Sequence, residues 1–93
     1  MGKVNVHNLN STGDRKPDGY DSWLDFWDAK CSHNTSFCQN STCASKREVG
    51  AHVQKDSAND KHWYIIPLCK ACNKKTTSFS VPEEYLVRLT ETE

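Results

Sequence analysis

Five cysteines stand out in this chain as the residues best able to do chemistry, and their spacing is uneven. From the amino terminus it runs Cys31-x6-Cys38-x4-Cys43, then 25 residues, then Cys69-x2-Cys72. Zinc needs four soft or borderline donors in a tetrahedron, with sulfur at about 2.3 Å. A Cys-x-x-Cys chelates from one turn that opens a helix, where backbone N–H groups also favour thiolate. Cys69 and Cys72 form such a pair, and Cys38 and Cys43 form its upstream partner. The spacing therefore favours a structural zinc site on Cys38, Cys43, Cys69 and Cys72. Cys31 is then the spare, with Cys31 or its neighbour His33 as the alternative for one of the four ligands. Lys70, Lys74 and Lys75 flank the second pair, and their charge is expected to lower its thiol pKa values.

Three other cysteine chemistries compete less well. A disulfide framework belongs to oxidising compartments. A thioredoxin-like redox pair needs a strand–helix alternation that this chain lacks. A two-Cys, two-His finger needs a histidine pair downstream, and none follows at the required spacing.

The elements that position these residues must be few. Ninety-three residues suit one domain, and hydrophobic residues make up only 35% of them. A core of that size needs help from something besides apolar packing, which a metal would supply. No apolar run near the amino terminus could serve as a signal-peptide core, and nothing later approaches a membrane span. A cytoplasmic protein with no membrane association is the expectation, unless a signal peptide once preceded Met1. Asn10, Asn34 and Asn40 begin formal glycosylation sequons, the one feature that points to secretion.

Along the chain, residues 1–19 are expected to be poorly ordered or to form one short strand at Lys3–Leu9. Ser22 or Asp21 can cap a helix in residues 20–30, whose Trp23, Phe26 and Trp27 share one aromatic face. That face is expected to form core, with base stacking as the competing use. "GAHV" and "HWYIIPL" read as two strands, and a helix over about Ala71–Thr77 follows the second. Pro82 and the glutamates after it predict a C-terminal helix over 82–91. Residues 38–81 carry seven basic and three acidic side chains, a net +4 in a chain whose total is zero. Four thiolates on a divalent ion would cut that to about +2, a mild electrostatic case for nucleic acid.

Cys-x4-Cys, then "GAHV", then "WYIIPLCKACN" resembles the HNH endonuclease-like superfamily. The resemblance covers residues 38–77, under half of the chain, and "YIIPLCKACNKK" is its most specific part. It implies a treble-clef, ββα-metal unit in which two cysteine pairs hold a structural zinc. It also implies a first-strand histidine that deprotonates a water, while a divalent ion stabilises the leaving oxygen of a phosphodiester. Carried over by position, His52 is the general base and Asn73 stands where the final histidine or asparagine falls. A second divalent ion, Mg²⁺ or Mn²⁺, would then lie near His52. Two positions depart from the pattern: Ala51 replaces a metal-binding residue, and Tyr64 replaces the asparagine that orients the base. Asp56, Asn59, Asp60 and His62 are the loop residues that offer substitute donors. The competing use of His52 is a buried structural histidine or a zinc ligand.

The expectation is a small α+β zinc-stabilised domain, a treble-clef/ββα-metal core with an added N-terminal helix and C-terminal helix. Its favoured function is a nucleic-acid- or protein-binding module with an incomplete nuclease constellation, touching DNA or RNA through Lys70, Lys74 and Lys75. The alternative is an active HNH-type endonuclease or nickase that uses His52.

Overall fold

The computed structural model describes residues 2–9, 19–57, 59 and 62–89. Strand β1, Lys3–Asn8, leads through residues 10–18, outside the described set, to helix α1, Trp23–Lys30. Strands β2, Val49–Lys55, and β3, Trp63–Leu68, follow, then the short helix α2, Lys70–Asn73. Strand β4, Phe79–Pro82, one 3-10 turn at Glu83–Tyr85 and strand β5, Val87–Arg88, close the described chain. The five strands form one antiparallel sheet in the order β4-β1-β2-β3-β5. Among the described residues, no helix is long and apolar enough to cross a membrane.

Strand alternation sorts the side chains onto two faces. Val6, Ala51, Val53, Tyr64, Ile66, Leu68, Phe79 and Val81 bury on one face, together with Cys38, Cys69 and Cys72. Ile65 buries on the other face, against Phe26 and Trp27 of α1 and with Leu89. Ser22 caps α1, its hydroxyl accepting from the Asp25 N–H at 3.1 Å. The aromatic face of α1 is core: Phe26 and Trp27 are buried, and the indole N–H of Trp27 donates to the Tyr85 carbonyl at 2.7 Å. Gly50 lets the helix approach, because a Cβ there would lie 2.6 Å from both Trp23 C and Leu24 N.

The amino-terminal strand is more deeply built in than its composition suggests. β1 pairs with β2 on one side and β4 on the other, with Val6 fully buried. The expected C-terminal helix over 82–91 is corrected up to Leu89, with 90 and 91 outside the described residues: Pro82 ends β4, and among the described residues of that span only Glu83–Tyr85 coil, in 3-10 geometry. Burial of Phe79 and Val81 holds β4 extended, and Val87 and Arg88 pair with Ile65 and Tyr64. Tertiary demand overrides the capping signal there. The helix expected at 71–77 is also shorter, since α2 stops at Asn73.

Candidate metal centre

The first cysteine pair sits on a small hairpin. Phe37 and Lys46 form its bridge, and Cys38 N–H donates to the Ser45 carbonyl at 2.9 Å. Its turn closes by a bond from Cys43 N–H to the Asn40 carbonyl at 2.9 Å. Gln39 N–H to the Pro67 carbonyl and Ser41 N–H to the Ser80 carbonyl, each 2.9 Å, dock the hairpin onto β3 and β4.

The second pair comes from the end of β3. Cys69 is the N-cap of α2, and its Sγ accepts from the Cys72 N–H at 3.4 Å. Glu48 accepts the next free donor, Lys70 N–H, at 3.0 Å. At the other end of α2, Asn8 donates its amide to the Cys72 carbonyl at 2.9 Å and the Lys75 carbonyl at 3.0 Å. The turn that carries Cys69 and Cys72 is thus tied to β1, 64 residues away in sequence.

These supports bring Cys38, Cys43, Cys69 and Cys72 together, with all four sulfurs within 4.8 Å of one another. Cys43 Sγ and Cys69 Sγ are 3.8 Å apart. A tetrahedron with metal–sulfur bonds of about 2.3 Å has an edge of about 3.8 Å, so this pair stands at ligand spacing. All five cysteines are free thiols. Cys38, Cys69 and Cys72 are buried, while Cys43 is half-buried. Burial pushes the Cys72 thiol up to about 12 and raises that of Cys38. The Ser45 backbone N–H and then its hydroxyl pull Cys43 down to about 6. For Cys72 this reverses the expectation from the flanking lysines, because Lys70, Lys74 and Lys75 are exposed and their charge is solvated. Buried thiols at mutual ligand distance suit a divalent ion that replaces their protons. A four-cysteine cluster of this kind can hold a structural metal such as zinc.

The other predicted residues lie elsewhere. Cys31 ends α1 and packs with the Phe26–Trp27 cluster, its Sγ 3.9 Å from the Glu84 carbonyl. His33 is exposed and stacks on Tyr85 with ring centroids 4.9 Å apart. Neither belongs to the four-sulfur group.

His52 is 6% exposed. Its neighbours Ala51 and Val53 face the cysteine side, so alternation turns its ring towards α1. There the ring meets Trp23 edge-on, with centroids 4.5 Å apart, and Trp63 at 6.4 Å. Burial lowers its pKa below the usual 6.5. Asn73 is exposed on α2, its N–H bonded to the Cys69 carbonyl at 3.0 Å. His52 is thus buried against α1, whereas Asn73 is exposed on α2. Among the loop donors, Asp56 pairs with His7 Nδ1 at 2.7 Å, both partly exposed. Asn59 and His62 are exposed, and Asp60 lies outside the described residues.

Asn8, Asn40 and Glu48 support the cluster, yet sequence reading missed all three in that role. Asn40 stood out only as a sequon, and in the structure it is 2% exposed with its amide turned inward. Comparison with family models, with curated proteins and with solved structures returns no match to this chain.

Proposed function

We propose that the chain is a zinc-stabilised module of the HNH-like, treble-clef type that binds nucleic acid around α2 without cutting it. The observation that carries this reading is the four-sulfur cluster, two ligands from a hairpin and two from the β3–α2 junction. The order of hairpin, β2, β3 and α2 follows the order of motifs in the HNH-like pattern. Free thiols throughout suit a reducing compartment such as the cytoplasm. Lys70, Lys74 and Lys75 are exposed on and just beyond α2, where their positive charge would attract backbone phosphates.

The position of His52 argues against a nuclease. A general base must reach a water beside the scissile phosphate. His52 is instead buried, with its ring edge-on to Trp23. Among the described residues, the four cysteines are the one set of three or more His, Cys, Asp or Glu side chains grouped to hold a metal.

Fluorescence anisotropy of zinc-loaded protein with labelled duplex and single-stranded oligonucleotides tests the reading. Binding should weaken with salt, and Lys70→Ala, Lys74→Ala and Lys75→Ala should each lower the duplex salt slope by about 0.9 per lost phosphate contact. No binding at low salt would overturn the nucleic-acid assignment and turn attention to a protein partner. Mn²⁺-dependent cleavage abolished by His52→Ala would restore the nuclease reading.

A further inference from the structure

Asn40 belongs to the turn of the first cysteine pair, and its buried side chain reaches the second pair at Cys72. It lies in the turn between Cys38 and Cys43 and is 2% exposed. Its Oδ1 accepts from the Thr42 N–H at 3.2 Å and the Thr42 hydroxyl at 3.1 Å. Those contacts fix the amide orientation, since a backbone N–H must face the oxygen. The nitrogen then points across the cluster and donates to Cys72 Sγ at 3.4 Å. Residues 32 apart in sequence are joined through one carboxamide.

Four thiolates around a divalent ion leave a net charge of about −2 at a site where three sulfurs are buried. Hydrogen bonds to sulfur offset that charge and fix the ligand's direction. The Cys72 N–H already serves Cys69 Sγ. Asn40 serves Cys72, and does so from the opposite ligand pair. We propose that Asn40 is a positioning residue of the metal centre: its carboxamide locks the Cys38–Cys43 turn through Thr42 and orients Cys72 by an N–H···S bond. The inference rests on the metal reading and names what sets the affinity of that site. It also makes the Asn40 sequon unusable in the folded chain, because the amide nitrogen that a glycan would need is already turned into the cluster.

The test uses the wild-type chain loaded with ¹¹³Cd²⁺. Couplings between the metal and the cysteine β-protons report the ligands, and a coupling from the Asn40 Nδ2 protons to the metal reports the N–H···S bond. The expected spectrum shows both sets, and absence of the Asn40 coupling overturns the inference while leaving the metal site intact. A spectrum with no cysteine couplings overturns the metal reading itself. The isosteric Asn40→Asp keeps an oxygen for Thr42 but replaces the donor with a carboxylate. Zn²⁺ affinity should fall about 10- to 100-fold, and the sulfur-to-Co²⁺ charge-transfer band should move to longer wavelength. Thr42→Val, which spares the donor to Cys72, should leave that band in place. Wild-type affinity and an unmoved band in Asn40→Asp would contradict the assignment.

Discussion

Cys43 Sγ lies 3.8 Å from Cys69 Sγ, although the two residues are 26 positions apart. That distance is the edge of a tetrahedron around a thiolate-bound ion, and the fold reaches it through supports unrelated to the sulfurs themselves. The hairpin docks on Pro67 and Ser80, and Asn8 anchors the end of α2. Cys69→Ser or Cys72→Ser, or removal of the ion by chelation, should unfold the middle of the chain, because the binding energy of a structural site is folding energy. Circular dichroism and amide NMR dispersion would show this, and a native-like spectrum for either variant would sink the ligand assignment. Cys31→Ser should shift stability by only about 0.5 kcal/mol, since its thiol lies outside the cluster.

Gly50 marks where α1 rests on the sheet. A methyl group there would lie 2.6 Å from Trp23 C and Leu24 N, backbone atoms that yield only if the whole helix moves. Gly50→Ala should therefore cost about 1–3 kcal/mol in urea unfolding. A neutral or stabilising result would mean that α1 does not sit against β2.

Trp27 is fully buried, and its indole N–H is bonded to the Tyr85 carbonyl at 2.7 Å. Trp27→Phe keeps most of the apolar contact but leaves that carbonyl without its donor. A loss of about 1–3 kcal/mol is expected, read from the denaturant midpoint, and an unchanged midpoint would remove the bond from the account.

His52 gives a pH signature with a definite sign. Burial holds its pKa below the usual 6.5, so the unfolded chain takes up a proton that the folded chain refuses. Its contribution is fully present above about pH 6.5 and is lost as pH falls towards the folded value. Zinc-loaded wild type and His52→Gln should thus converge in stability between pH 7.5 and 5.5, since acid weakens the metal site equally in both. Parallel pH profiles would show that His52 is solvated.

The cysteine spacing revealed the cluster because metal ligation is a local constraint: Cys69-x2-Cys72 needs one turn, and Cys38-x4-Cys43 one hairpin. The aromatic helix was equally legible, since Ser22 and the i, i+3, i+4 pattern of Trp23, Phe26 and Trp27 act within a single element. What escaped depends on partners distant in sequence. Pro82 and its glutamates carry a helix-start signal, but Phe79, Val81 and Val87 are held by strands that local pattern cannot name. His52 was found, yet the face it occupies is set by strand register and by Trp23. Asn8 lies in no motif and the sequon at Asn40 points away from metal, because their roles exist only once the sulfurs meet.

Native mass spectrometry of the chain as isolated, paired with thiol counting before and after denaturation, tests the metal centre most directly. One zinc ion per chain is expected, with one readily titrated thiol in the folded state and five after unfolding with a chelator. A folded chain that carries no metal and titrates all five thiols, or one whose cysteines are joined as disulfides, would contradict it.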